Sequence, residues 1–338
     1  MMKIDDIRKP IVADIEAFER FLKDKFTAES KPMQEMLNYA LNTRGKCLRS
    51  MLAMLCAGLY SPAPKATAEE CGAQRNCSTR TYVAAMLVEM IHTASLIHDD
   101  IIDMADERRG VPSVRARFRN DMAVLVGDFI LARAMDLGMS SAQYDLMSHV
   151  GKAMATLCEG EVLQDVHTRK ADTTREDYLD IIYRKTASLL GTSAALGAMS
   201  AGAKHEDVER ARKFGETIGI AFQIKDDILD YVGDDKLGKQ RLNDLKESKI
   251  TLPLIEIMDN EYASCPEEII ILLHRCRKDN AAVERLHAIV RENKGVERAT
   301  ETMVAYISRA MSLLNDMPDN PYREALMNLC LYVGDREL

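Results

Sequence analysis

Twice in this sequence three aspartates at the spacing D-D-x-x-D stand inside an otherwise apolar stretch: Asp99-Asp100-Ile101-Ile102-Asp103 and Asp226-Asp227-Ile228-Leu229-Asp230. On an α-helix the first and last carboxylates of each triad share a face, and the middle one lies about 100° round from the first. Ile91, Leu96 and Ile97 precede the first triad and Ile224 the second, so neither reads as an ordinary solvated face. Carboxylates crowded beside a core repel one another and need cations. Any fold for this chain must therefore supply each triad with counter-charge at the edge of an apolar body. Oxygen donors without thiol or imidazole partners suit Mg2+, which keeps several waters and bridges protein carboxylates to substrate phosphates. Calcium storage is disfavoured, because no Asp-rich loop carries the Gly and the closing Glu of an EF-hand.

The rest of the chain reads as helix. Apolar residues recur at helical spacing in Ile15, Phe18, Phe21 and Leu22, and in Leu52, Leu55, Cys56 and Leu59, whereas strand-like alternation appears nowhere. Gly (17) and Pro (9) are sparse and hydrophobic residues make up 47%, enough for a large helical core. Residues 61–80 are Pro-rich, then polar, and predict a variable surface connection, with helical patterning resuming at Tyr82 and running to about Val333. Breaks at 110–113, 140–144, 202–205, 233–244 and 265–266 predict roughly ten to thirteen helices in an all-α, single-domain bundle over 1–338. No repeat of solenoid period recurs.

Other classes are excluded or disfavoured. A net charge of −8 argues against nucleic acid as a partner. The run from Thr186 to Ala203 lacks charge but is rich in Gly, Ser, Thr and Ala, so a core helix with close neighbours is expected rather than a transmembrane segment. Eight cysteines without a C-x-x-C pair read as reduced thiols in a cytoplasmic protein, and Met1 to Lys9 lacks the apolar stretch of a signal peptide.

Basic residues near the triads fit a phosphate substrate. Arg108 and Arg109 follow the first triad closely, and a planar guanidinium suits bidentate phosphate contacts. Lys46 and Arg49, three apart, can converge on one anion. Lys185-Thr186 offers a charge and a hydroxyl, and Lys239 and Lys249 flank the turn-rich stretch after the second triad. His92 and His98, six apart on different helix faces, read as partly buried histidines rather than metal ligands.

These segments together resemble the trans-isoprenyl diphosphate synthases, or polyprenyl synthetases. The resemblance rests on GKCLRS at 45–50, EMIHTASLIHDDIIDMADERRGVPS at 89–113, YRKTASLLG at 183–191, FQIKDDILD at 222–230 and DLKESKITLPL at 244–254. It implies the isoprenoid synthase fold: a helical bundle around a deep central cavity, usually a homodimer, with the two aspartate motifs facing each other near its mouth. By this resemblance Asp99 and Asp103 bind two Mg2+ and Asp226 a third, with Asp100, Asp227 and Asp230 in support. Arg108 and Lys185 hold the allylic diphosphate, and Lys46, Arg49, His92 and Arg109 hold isopentenyl diphosphate without metal. Thr186, Gln223, Lys239 and Lys249 match further substrate-contacting positions. The sequence departs from the family at Cys47 and Ser50, where Arg and Pro are frequent.

In this family, side chains one turn before the first aspartate often form the cavity floor, and here they are Ala94 and Ser95. Small residues there, with adaptable methionine walls, predict a long product of roughly thirty-five to fifty carbons for quinone side chains, released through weak membrane association. A geranylgeranyl product is the chief alternative. A terpene cyclase usually lacks the second triad and does not need Lys46, Arg49 and Arg109. A non-catalytic subunit would show degraded aspartates, and all six are intact.

Overall fold

Helix ends follow local chemistry. Ser78 accepts a hydrogen bond from the Thr81 N–H and so starts the Thr79–Ile102 helix three residues before the apolar pattern resumes. The same helix stops just after the first two aspartates: Asp103 is its C-cap, and Met104 turns into the left-handed region at φ 53. The structure, a computed structural model, describes residues 2–61, 67–232, 242–258 and 266–335. Thirteen of the described α-helices run eight residues or longer, within the expected range, and pieces of four to seven residues lie between them. The result is an all-α fold.

The helix Ser188–Ser200, made from the uncharged run, sits at the centre. It is buried over most of its length and packs against Leu48–Tyr60, Thr79–Ile102, Tyr144–Lys170 and His205–Val232. No described helix is long and apolar enough to cross a membrane. Small residues admit the neighbours, as expected: a Cβ on Gly197 would lie 2.1 Å from the Ala53 carbonyl oxygen, and one on Gly215 would lie 2.5 Å from that of Leu190. Gly197→Ala is therefore expected to destabilise the fold by about 1–3 kcal/mol, because backbone has to shift rather than a flexible side chain. A urea-unfolding midpoint equal to that of the parent would refute the close approach.

One sequence expectation needs correction. Strand structure is present, though small: Glu107–Arg108 pairs antiparallel with Val111–Pro112, in the register Arg108 to Val111. Arg109 at φ 57 and Gly110 at φ 76 form the turn, and positive φ at both positions is the hairpin geometry that matches strand twist. Two-residue strands are too short to show alternation. Residues 61–80 carry more structure than the sequence announced. Their described part contains the short helix Ala68–Gly72, started by a Thr67–Glu70 capping box, and it is tied to the core. Buried Asp14 accepts from the Asn76 and Cys77 backbone N–H groups and from the Tyr82 hydroxyl at 2.9 to 3.2 Å. The seven described cysteines are all free, in keeping with the expected thiols.

Candidate active site

One cavity of about 710 Å³ gathers residues that lie far apart in the chain. Lys46, Arg49, His92, Asp99, Asp100, Arg108, Arg109, Lys185, Thr186, Gln223 and Asp226 all line it. Asp103, Asp227, Asp230 and Lys249 do not line it, and Lys239 lies outside the described residues. His98 is also away from the wall, close to Asp128 at 3.6 Å.

The acidic cluster is built from the first triad and from residues that sequence reasoning missed. Burial, then the nearby Glu161, pushes the Asp99 carboxyl up to about 7, with Asp103 adding to the repulsion. Lys185 gives 2.7 Å to Glu161 and also donates to Gln164. Glu161 and Gln164 stand three apart on the Tyr144–Lys170 helix, a same-face spacing visible in sequence but without a motif to single it out. Lys185 and Thr186 project from a π-helical turn, Tyr183–Ala187, closed by the Ser188 N–H on the Tyr183 carbonyl. Such wide turns recur at functional sites, and no pattern of residues announces one. Asp244 is the other missed acid: burial, then Asp230, pushes it up to about 7.

Within each triad the aspartates divide their roles. Asp100 is buried and accepts two hydrogen bonds from Arg108 on its Oδ1, at 2.9 Å from Nε and closer still from Nη2. Asp227 accepts from Tyr178 at 2.6 Å and from Gln223 at 2.9 Å, and Gln223 in turn accepts from Thr186 at 2.7 Å. Burial, then Asp244, raises the Asp227 carboxyl well above the usual range. Asp230 caps the next segment, accepting from the Asn243 and Asp244 N–H groups at 3.0 and 3.1 Å. Asp100, Asp227 and Asp230 are thus held by protein partners, Asp100 at the cavity wall and the other two off it, whereas Asp99 and Asp226 line the cavity outside these anchoring contacts. Lys249 pairs with Glu247 at 2.5 Å and feels Asp244 and Asp103 from the acidic side. Among the described residues no three Asp, Glu, His or Cys side chains already converge as a metal cage.

The basic cluster comes from the loop before Cys47, the first turn of the Leu48–Tyr60 helix and the hairpin. Arg109 donates to the Thr43 carbonyl at 2.9 Å, and its guanidinium lies where a Cβ on Gly45 would stand, 2.5 Å away. Arg49 is pushed down to about 10 by burial, yet stays charged at neutral pH, and its buried Nε has no hydrogen-bond partner. Burial, then Arg49, Arg109 and Arg108, holds His92 well below the ordinary imidazole value, so it is neutral amid three cations. Both family departures fit here. Cys47 opens the Leu48–Tyr60 helix at φ 52, its thiol pushed up to about 12 by burial. Ser50 donates its N–H to buried Glu89 at 3.2 Å, a bond that proline could not make.

The cavity floor differs from the sequence expectation at one position. Ser95 lines the cavity, with Leu96, Leu157, Leu190 and Phe222. Ala94 is wholly buried in the core and does not line it, because adjacent residues on a helix point about 100° apart.

A family model described as polyprenyl synthetase matches residues 30–292. The all-trans-nonaprenyl-diphosphate synthase (geranyl-diphosphate specific) of Rhodobacter capsulatus is 34% identical over 332 residues, covering 98% of this chain and 97% of its own. Heptaprenyl diphosphate synthase component 2 of Geobacillus stearothermophilus is 31% identical over 337 residues, covering 99% of this chain and 100% of its own. Among solved structures, a polyprenyl synthase from Caulobacter crescentus complexed with calcium and isoprenyl diphosphate superposes with a TM-score of 0.88 at 28% identity, covering 100% of this chain and 99% of that one.

Proposed function

Because this chain belongs to the polyprenyl synthetase family, and is a prenyltransferase, we propose that it condenses isopentenyl diphosphate with an allylic diphosphate, repeatedly, to an all-trans long-chain polyprenyl diphosphate. The observation that carries this reading is the pairing of an acid-crowded cluster with a guanidinium cluster around one cavity. Two diphosphates and divalent cations are the ligands such a charge pattern suits.

Asp99, Asp103 and Asp226 fit Mg2+ by the chemistry of the donor set: hard oxygens, with Asp99 held above its ordinary value for want of positive charge. When bound, Mg2+, in a proposed three ions, supplies the charge that neutralises a departing diphosphate. The chain's own residues do the rest. Arg108, aimed by Asp100, and Lys185, held by Glu161 and Gln164, grip the allylic diphosphate as its carbon–oxygen bond breaks. Lys46, Arg49, His92 and Arg109 hold isopentenyl diphosphate, for which the unpartnered Arg49 Nε is a ready donor. Thr186 donates a hydrogen bond to the Gln223 Oε1, and the Gln223 amide N–H is fixed on Asp227, so the Thr186 lone pairs remain for a developing allylic cation. The isopentenyl double bond attacks that cation, and the proton then lost passes to the released diphosphate.

Similarity to nonaprenyl and heptaprenyl diphosphate synthases favours a long product over the geranylgeranyl alternative. We propose further that 1–338 acts as one domain, as a cytoplasmic homodimer that meets the membrane only to release product. A second reading, in which activity needs a different partner chain, is favoured by the name of the component 2 relative. Incubating the purified protein with Mg2+, labelled isopentenyl diphosphate and allylic primers of increasing length, then sizing the extracted products, tests both. A long ladder of products from this chain alone is the expected result, and incorporation only after a partner is added would favour the second reading. No incorporation under either condition would overturn both.

A further inference from the structure

The C-terminal helix Pro321–Asp335 reaches the cavity wall through Tyr332. That side chain is buried and accepts a hydrogen bond from the Lys46 ammonium at 2.5 Å, and the ammonium stands 5.3 Å from the centre of its ring. Both ends of the chain converge on this lysine. Arg8, on the N-terminal helix Ile4–Arg8, donates to the Lys46 carbonyl at 3.0 Å. The C-terminal helix is itself pinned beside the second triad, where Lys225 donates to the Gly334 carbonyl at 3.1 Å.

The kind of partner matters. Lys185 is held by the Glu161 carboxylate, which cancels part of its charge. Lys46 is held by a phenolic hydroxyl, which orders a flexible stem without supplying a carboxylate to compete with a ligand. An ordered lysine loses less entropy when a diphosphate binds.

We infer that Tyr332 is a positioning residue for isopentenyl diphosphate: it holds the Lys46 ammonium at the cavity wall and so sets the affinity for that substrate alone. The inference rests on the synthase reading above. Arg108 and Lys185, proposed for the allylic diphosphate, are held by Asp100 and by Glu161 with Gln164, and a change at Tyr332 leaves those contacts in place.

Steady-state kinetics of Tyr332→Phe and Tyr332→Leu test it. Phe keeps the ring and removes the oxygen, whereas Leu removes both. The KM for isopentenyl diphosphate is expected to rise about tenfold in Tyr332→Phe and by a similar factor in Tyr332→Leu, because the hydroxyl is the group that touches Lys46, with kcat and the allylic KM within about twofold of the parent. Because KM does not depend on the fraction of protein folded, a poorly folding variant still reports. In a Lys46→Met background, Tyr332→Phe is expected to add nothing. An unchanged isopentenyl KM, an equal rise for both substrates, or a fully additive double variant would each overturn the inference. Inactivity of the parent protein would instead overturn the synthase reading on which it stands.

Discussion

Asp99→Asn is expected to lower turnover by about a thousandfold while making the metal-free protein more stable at alkaline pH. The two effects have one cause. Burial and Glu161 raise the Asp99 carboxyl to about 7 in the folded chain, above its value of about 4 when unfolded. A raised carboxyl contributes stability that is fully present below about pH 4 and is lost as pH rises through 7. Asparagine has no charge to bury, so the variant escapes that loss. In chelator at pH 8 it is expected to exceed the parent by on the order of 1–2 kcal/mol, after allowing for screening of this half-buried group, and to match it at pH 4. Denaturant titrations at the two pH values read this directly. Lower stability at pH 8 would mean that Asp99 is already compensated without a cation. A loss of turnover under about tenfold would remove Asp99 from the diphosphate site.

Ser95→Phe is expected to collapse the product ladder to about one or two condensations beyond the primer, because a phenyl ring fills the wall that Ser95 leaves open beside Leu157, Leu190 and Phe222. Ala94→Phe has the opposite signature. Ala94 is wholly enclosed in the core, so the added ring overpacks by about 1–3 kcal/mol and lowers stability before it alters length. Product sizing together with thermal unfolding separates the two. If Ala94→Phe shortened the product at unchanged stability, and Ser95→Phe did not shorten it, the assignment of the cavity wall to Ser95 would be wrong.

Much of this site was legible from composition of motifs alone. Two acid triads with apolar flanks pointed to crowded carboxylates at the edge of the core, and the positions of Lys46, Arg49, Arg108, Arg109 and Lys185 beside matching motifs pointed to a diphosphate site. Eight of those eleven residues line the cavity, and His92, Thr186 and Gln223 line it with them. The core helix was legible too, since an uncharged run of small residues suits close packing and not lipid.

What remained hidden depended on long-range placement. Glu161 meets Lys185 and Tyr332 meets Lys46 across 24 and 286 residues of sequence, and a side chain's spacing along its own helix carries no information about a partner on another. The division of each triad was likewise invisible. Asp100 and Asp227 have the same local spacing as their neighbours, and only burial against Arg108, Tyr178 and Gln223 makes them anchors. Adjacent residues on a helix differ by about 100° in direction, so sequence could nominate Ala94 and Ser95 together, but tertiary packing alone decided which of them faces the cavity. The sequence by itself determined the helical class, the family and the chemical character of the site, because these follow from local periodicity and residue type. Tertiary structure decided which charges pair, which carboxylates stay open to a ligand and where the product chain meets a wall, because those depend on how separate helices meet.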